Sequence, residues 1–104
     1  MRWTRALRRL IVRGMDEPLE CREHWQAVDA ARNIARDYRL SVTPDLFGWT
    51  IVERQWGRIG SAGQSARDSF SEAEAARRFI DAIRARRRSA KARIGVAYRA
   101  VRTR

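Results

Sequence analysis

The chain has 104 residues, with 23 Lys+Arg against 12 Asp+Glu for a formal charge of +11, 44% hydrophobic residues, one Cys and one His. This length supports one small core, burying roughly 60–70% of the surface an unfolded chain exposes, and the apolar content excludes a wholly disordered chain. Cys21 alone excludes an internal disulfide framework and fits a reducing, cytoplasmic setting; His24 as the single histidine excludes a Cys/His zinc set, and no window approaches the roughly 20 apolar residues of a membrane span.

Residues 1–13 carry Arg2, Arg5, Arg8, Arg9 and Arg13 and no acid. Trp3, Leu7, Leu10 and Ile11 recur among them at helical spacing, which predicts an amphipathic basic helix within a leader spanning residues 1–24. Such a helix suits a nucleic acid or an anionic membrane surface. It lacks the long apolar run of a secretory signal. Met15, ahead of Asp16-Glu17-Pro18, offers an alternative start that would leave residues 1–14 outside the protein.

From Asp37 the period changes to two. Tyr38, Leu40 and Val42 alternate with Arg39, Ser41 and Thr43, which predicts a strand with one buried face. Pro44-Asp45 and Gly48 mark a turn, and a second strand over residues 49–56 follows closely enough for an antiparallel hairpin. Alternation then puts Trp56 on the face of Val52 and Arg54, opposite Trp49 and Ile51. Gly57, Gly60 and Gly63 predict a turn-rich loop over residues 57–64 whose backbone can approach a neighbour closely. Residues 65–70 read as a third strand.

Ser71 and Glu74 have the spacing of a capping box, which predicts a helix with Ser71 at its N-cap. Ala76, Phe79, Ile80 and Ile83 form its apolar stripe. Its last turns hold Arg84, Arg86, Arg87 and Arg88, where cations complement the helix dipole. Residues 82–104 carry nine bases and no acid, whereas residues 14–81 sum to −3. The tail, residues 89–104, surrounds Ile94, Val96, Tyr98 and Val101 with bases around Gly95, as a last strand or a basic arm. Basic ends on a nearly balanced body suit an anionic polymer. The competing reading is a solvated charge run with a well-formed helix end.

Enzymatic constellations are missing: one His, one Cys and no phosphate-binding loop remove the usual triads, metal hydrolase sites and nucleotide sites. Asp37, Asp45 and Glu53 do not pair on a common face as acid and base. The expectation is therefore no catalytic residue, no metal and no cofactor. What remains is Trp56 between Arg54 and Arg58 beside a glycine loop, a flat π-surface flanked by cations that can stack on a base or sugar and pair with phosphate. The alternative is that Trp56 is simply core.

These residues also carry a resemblance. Trp56-Gly57-Arg58-Ile59-Gly60, followed by Gly63-Gln64, resembles the W-G-R-[VI]-G-x-x-G-Q signature of the WGR domain. Asn33 stands five residues before Tyr38, Asp45-Leu46-Phe47-Gly48-Trp49 looks like the turn of stand-alone bacterial WGR proteins, and a helix is predicted after Phe70. The likeness covers about residues 29–88. It implies an α+β module, an antiparallel sheet with one main helix packed on it, here over residues 25–88 with added basic segments at both ends.

In poly(ADP-ribose) polymerases the WGR domain binds DNA near strand breaks, its signature Trp packing on a sugar at the DNA end. The resemblance therefore implies a non-enzymatic module that binds DNA, with RNA as the alternative nucleic acid, and nucleoid association in a bacterium. Trp56 would be the stacking platform and Arg58 the contact or relay residue. Asn33 and Arg54 would be backbone contacts, with Arg86, Arg87 and Arg88 adding phosphate contacts. A second expectation is a module that docks a separately encoded protein partner in DNA repair or modification. There is no room for an ADP-ribosyltransferase domain in these residues, so a relay through Arg58 has no attached receiver. Gly48 also stands alone where bacterial relatives often carry a glycine pair.

Overall fold

Alternating apolar residues and short chain reversals build one sheet in the computed structural model, which describes residues 19–102; the 1–13 helix and Met15 lie outside the described residues. The elements run β1 (Cys21–Asp29), a 3-10 turn (Ala30–Arg32), β2 (Ile34–Pro44), β3 (Thr50–Arg58), β4 (Gln64–Phe70), α1 (Ala73–Arg88), α2 (Ala90–Ile94) and β5 (Arg99–Ala100). The strands lie in the order β4-β3-β2-β1-β5, and every pairing is antiparallel. This is an α+β fold with one main helix.

The period-two pattern sends one set of side chains under α1. Tyr38, Leu40 and Val42 from β2 and Val52 from β3 meet Ile80 and Ile83 of the helix, all buried. Ala76 completes the helical stripe, while Trp25, Trp56, Phe70, Phe79 and Tyr98 pack around this core partly buried. Burying each large side chain here is worth roughly 1.5–3 kcal/mol, and these few contacts hold the helix on the sheet. The opposite face is polar: register sets Arg22 beside Ser41, and His24 beside Arg39.

Several expectations are corrected. Cys21–His24, assigned to the leader from sequence, open β1, a strand the sequence reading left out. Its inward positions include Glu23, whose carboxylate is paired with Arg84, so the apolar alternation is broken by a salt bridge. Gly57 and Arg58, expected in a loop, instead extend β3 and pair with Asp37 and Arg36. The capping box does not form: Glu72 is the N-cap, with extended dihedrals and no side-chain cap bond, and Ser71 lies one residue outside. The tail returns to the sheet, where β5 pairs with Trp25 and Gln26 and Val101 N–H donates to the His24 carbonyl at 2.7 Å.

Candidate nucleic-acid interface

At the end of the β2–β3 ladder, the sheet and the last turns of α1 diverge and leave an open groove of about 710 Å³. Its floor is Tyr38 from β2 and Trp56 from β3, cross-strand partners whose rings stack with centroids 6.1 Å apart at 20°. Phe79, Ile83 and Tyr98 line its sides, together with six arginines, Arg36, Arg54, Arg58, Arg86, Arg87 and Arg93.

Trp56 therefore meets both readings. It packs on the core and is half-buried, yet it lines the open groove. Arg54 lies beside it, the guanidinium carbon 5.4 Å from the Trp56 ring and 5.2 Å from that of Phe79, with Asp68 at 3.4 Å as its carboxylate partner. Such cation–π placement orients the guanidinium while leaving its charge in place.

The position of Trp56 depends on two glycines. Trp56 pairs with Gln64 across β3 and β4, so the chain at Gly63 runs hard against it. A Cβ on Gly63 would sit 2.2 Å from the Trp56 carbonyl oxygen, and one on Gly57 would sit 2.8 Å from Cα of Gly63. Gly63 also has φ +65°, in the left-handed region. The loop thus serves to bring two backbones together behind the tryptophan.

Asn33 and Arg58 are brought together. The Arg58 guanidinium donates from Nη2 to Oδ1 of Asn33 at 2.9 Å and from Nη1 to its carbonyl oxygen at 3.3 Å. Both side chains remain exposed.

The arginines at the helix end divide by surroundings. Arg86 is exposed and lines the groove; its carbonyl accepts from Nη2 of Arg93 at 2.6 Å, which holds Arg93 at the rim. Arg87 is half-buried, its guanidinium carbon 3.9 Å from the Tyr38 ring and 5.1 Å from that of Tyr98. Burial pushes its pKa down from the usual arginine value, though an arginine stays protonated in this range. Arg88 lies elsewhere, in a smaller concavity with Glu23, Trp25 and Arg84. Among the described residues, the buried side-chain nitrogens without an acceptor are Nε of Arg54 and Nε and Nη1 of Arg87, all on groove arginines.

Sequence reasoning missed Arg36, Arg93, Tyr98 and Phe79 as groove residues. Phe79 was legible only as helix stripe. Arg93 and Tyr98 reach the groove because the tail is held at two places: Arg32 donates to the carbonyls of Ile94 and Gly95, at 3.3 and 3.0 Å, and Arg99 and Ala100 pair with β1. No group of three metal-ligating side chains occurs among the described residues, and none of their helices is long and apolar enough to cross a membrane.

The family model described as "WGR domain" matches residues 22–93. An uncharacterized protein, y4dW, of Sinorhizobium fredii (strain NBRC 101917 / NGR234) is 41% identical over 68 residues, covering 64% of this chain. The match covers 33% of that relative, so the chain corresponds to about a third of its length. No solved structure matches significantly.

Proposed function

The chain belongs to the WGR domain family, and from that premise we propose that it is a non-enzymatic module that binds nucleic acid, DNA before RNA, in the groove between the sheet and the end of α1. The observation that carries the proposal is the convergence of Trp56 and six arginines on one open groove. Separately, each has a structural explanation. Together they offer a stacking surface and several phosphate donors within one site.

In this reading Trp56 stacks on a sugar or base at the end of a duplex. Arg54 and Arg86 pair with phosphates, and Arg93 joins them at the rim. Asn33 holds Arg58 at the edge of the groove as a contact residue, while Arg87 keeps the aromatic wall together. Arg88 adds only long-range attraction. Binding through such contacts is sequence-independent, with dissociation constants on the order of 10⁻⁴–10⁻⁶ M at physiological salt, and weakens as salt rises.

The test compares a blunt-ended duplex with a covalently closed duplex of the same sequence by fluorescence anisotropy. Wild type prefers the open ends, Trp56→Ala loses that preference, and Trp56→Phe retains part of it because a ring remains. A folded Trp56→Ala that keeps the preference contradicts the stacking role. Absence of nucleic-acid binding at low salt would instead move the groove to the docking of a separately encoded protein partner.

A further inference from the structure

The turn between β2 and β3 carries an apolar finger that the described residues leave uncovered. Leu46 is 97% exposed and Phe47 87%, with Trp49 beside them at 45%. Their presentation is built in. Oδ1 of Asp45 accepts from the N–H groups of Phe47 and Trp49 at 2.8 and 2.9 Å, and the Asp45 N–H donates to the Trp49 carbonyl at 2.9 Å. Single exposed apolar residues are ordinary, but neighbouring large ones held in a fixed turn mark a contact surface.

Among the described residues, the side chains that carry charge around this turn are acidic. Pro44 pairs with Thr50, which pairs in turn with Phe70, so Glu72 at the N-cap of α1 lies at the same end of the sheet as the finger. Cys21 pairs with Val42, which brings Glu20 to the same end. The groove lies at the other end of the β2–β3 ladder, where Arg36 pairs with Arg58. Acidic charge disfavours nucleic acid and anionic lipid as occupants of the finger, and favours an apolar pocket rimmed by cations.

Such a pocket is present in the chain itself. We infer that Leu46 and Phe47 of one molecule enter the groove of a second copy, against Trp56 and Phe79, with Asp45 and Glu72 meeting Arg86 and Arg93. A volume of about 710 Å³ accommodates two such side chains and falls in the range of ordinary ligand sites. Because finger and groove are different surfaces, the contact is heterologous. It repeats head to tail into open chains and does not close as a twofold dimer. Self-association stands independently of the nucleic-acid reading; only competition for the groove rests on that reading.

Sedimentation velocity of the full chain tests this. The weight-average mass of wild type rises with concentration at low salt and falls back at high salt. Phe47→Ser, which removes the finger, stays monomeric, as does the double variant Arg86→Glu/Arg93→Glu, which reverses the rim. An equimolar mixture of the two forms a 1:1 dimer that grows no further, since one supplies only a groove and the other only a finger. Circular dichroism establishes that each variant is folded, and Leu46→Ser and Arg93→Gln replace either one that is not. A wild type that stays monomeric at its highest soluble concentration overturns the proposal, and so do a Phe47→Ser variant that assembles like wild type and a mixture that stays monomeric. Added duplex dissolves the chains if the groove also takes nucleic acid; chains that persist beside it contradict the nucleic-acid reading and leave self-association standing.

Discussion

Arg58 closes on Asn33 with two hydrogen bonds, one to the side-chain oxygen and one to the carbonyl of the same residue. The clasp joins the end of β3 to the β1–β2 connection, where Asn33 has φ 57° in the left-handed region. Asn33→Ala removes one bond and puts a Cβ residue with no local side-chain bond into that conformation. A loss of about 1–2 kcal/mol is expected. Asn33→Gly relieves the backbone and costs less. Urea denaturation of the two variants separates the contributions, because only the backbone cost differs between them.

Gly63 and Gly60 provide a second pair of contrasting substitutions. Both have positive φ, +65° and +88°, but a Cβ at Gly60 meets nothing within 4 Å whereas one at Gly63 meets the Trp56 carbonyl at 2.2 Å. Gly60→Ala should therefore cost about 1 kcal/mol, the left-handed penalty alone. Gly63→Ala should cost about 3 kcal/mol or more, since two paired backbones must separate. Thermal denaturation orders the variants, and equal melting temperatures would show that the loop yields at Gly63.

Neighbouring arginines should separate stability from binding. Arg87 lies between two tyrosine rings while Arg86 is exposed. Arg87→Ala is expected to lose about 1–2 kcal/mol of stability through its stacking contacts. Arg86→Ala should stay within about 0.5 kcal/mol of wild type while weakening binding to every duplex alike. Denaturation and anisotropy on the same two proteins check both halves of the statement.

Acid should weaken the polar face of the sheet through Asp37. Burial acts to raise its pKa, but hydrogen bonds from His24, at 2.5 Å, from Gln26, at 3.1 Å, and from Arg39 outweigh it and hold the carboxyl below the usual aspartate value. A folded-state pKa below the unfolded one contributes stability that is present above the unfolded pKa. That contribution is lost as pH falls through the folded value, so the window lies below about pH 4. Asp37→Asn removes it. The stability difference between wild type and Asp37→Asn should therefore shrink as pH is lowered below about 4, as followed by thermal melts; a difference independent of pH would mean the pair contributes only through packing.

Much of the architecture was legible because it rests on short-range periodicity. Alternation at Tyr38, Leu40 and Val42, the parity of Trp56 with Val52, and the stripe through Ala76, Ile80 and Ile83 are all found as read. β1 was not legible, because Glu23 points into the protein and is neutralised by Arg84, a partner 61 residues away that no local pattern reveals. The same applies to the groove. Trp56 and Arg58 stand out in sequence, but Arg93 and Tyr98 join them through long-range contacts of the tail, with Arg32 and with β1, and Arg87 looks like a free phosphate ligand until Tyr38 and Tyr98 are placed around it. Local chemistry announces the site; long-range packing decides which arginines remain available to a ligand.

The most direct measurement is the salt dependence of affinity for a blunt-ended duplex, with wild type beside two variants of equal net charge. One carries Arg54→Gln, Arg86→Gln and Arg93→Gln in the groove; the other carries Arg22→Gln, Arg39→Gln and Arg67→Gln, which leave the groove intact. Each phosphate contact contributes about 0.9 to the slope of log affinity against log salt. The account predicts a slope flatter by about two to three for the groove variant and nearly unchanged for its matched control. Equal slopes in the two variants would mean that nucleic acid is held by net charge alone, and would contradict a binding site in the groove.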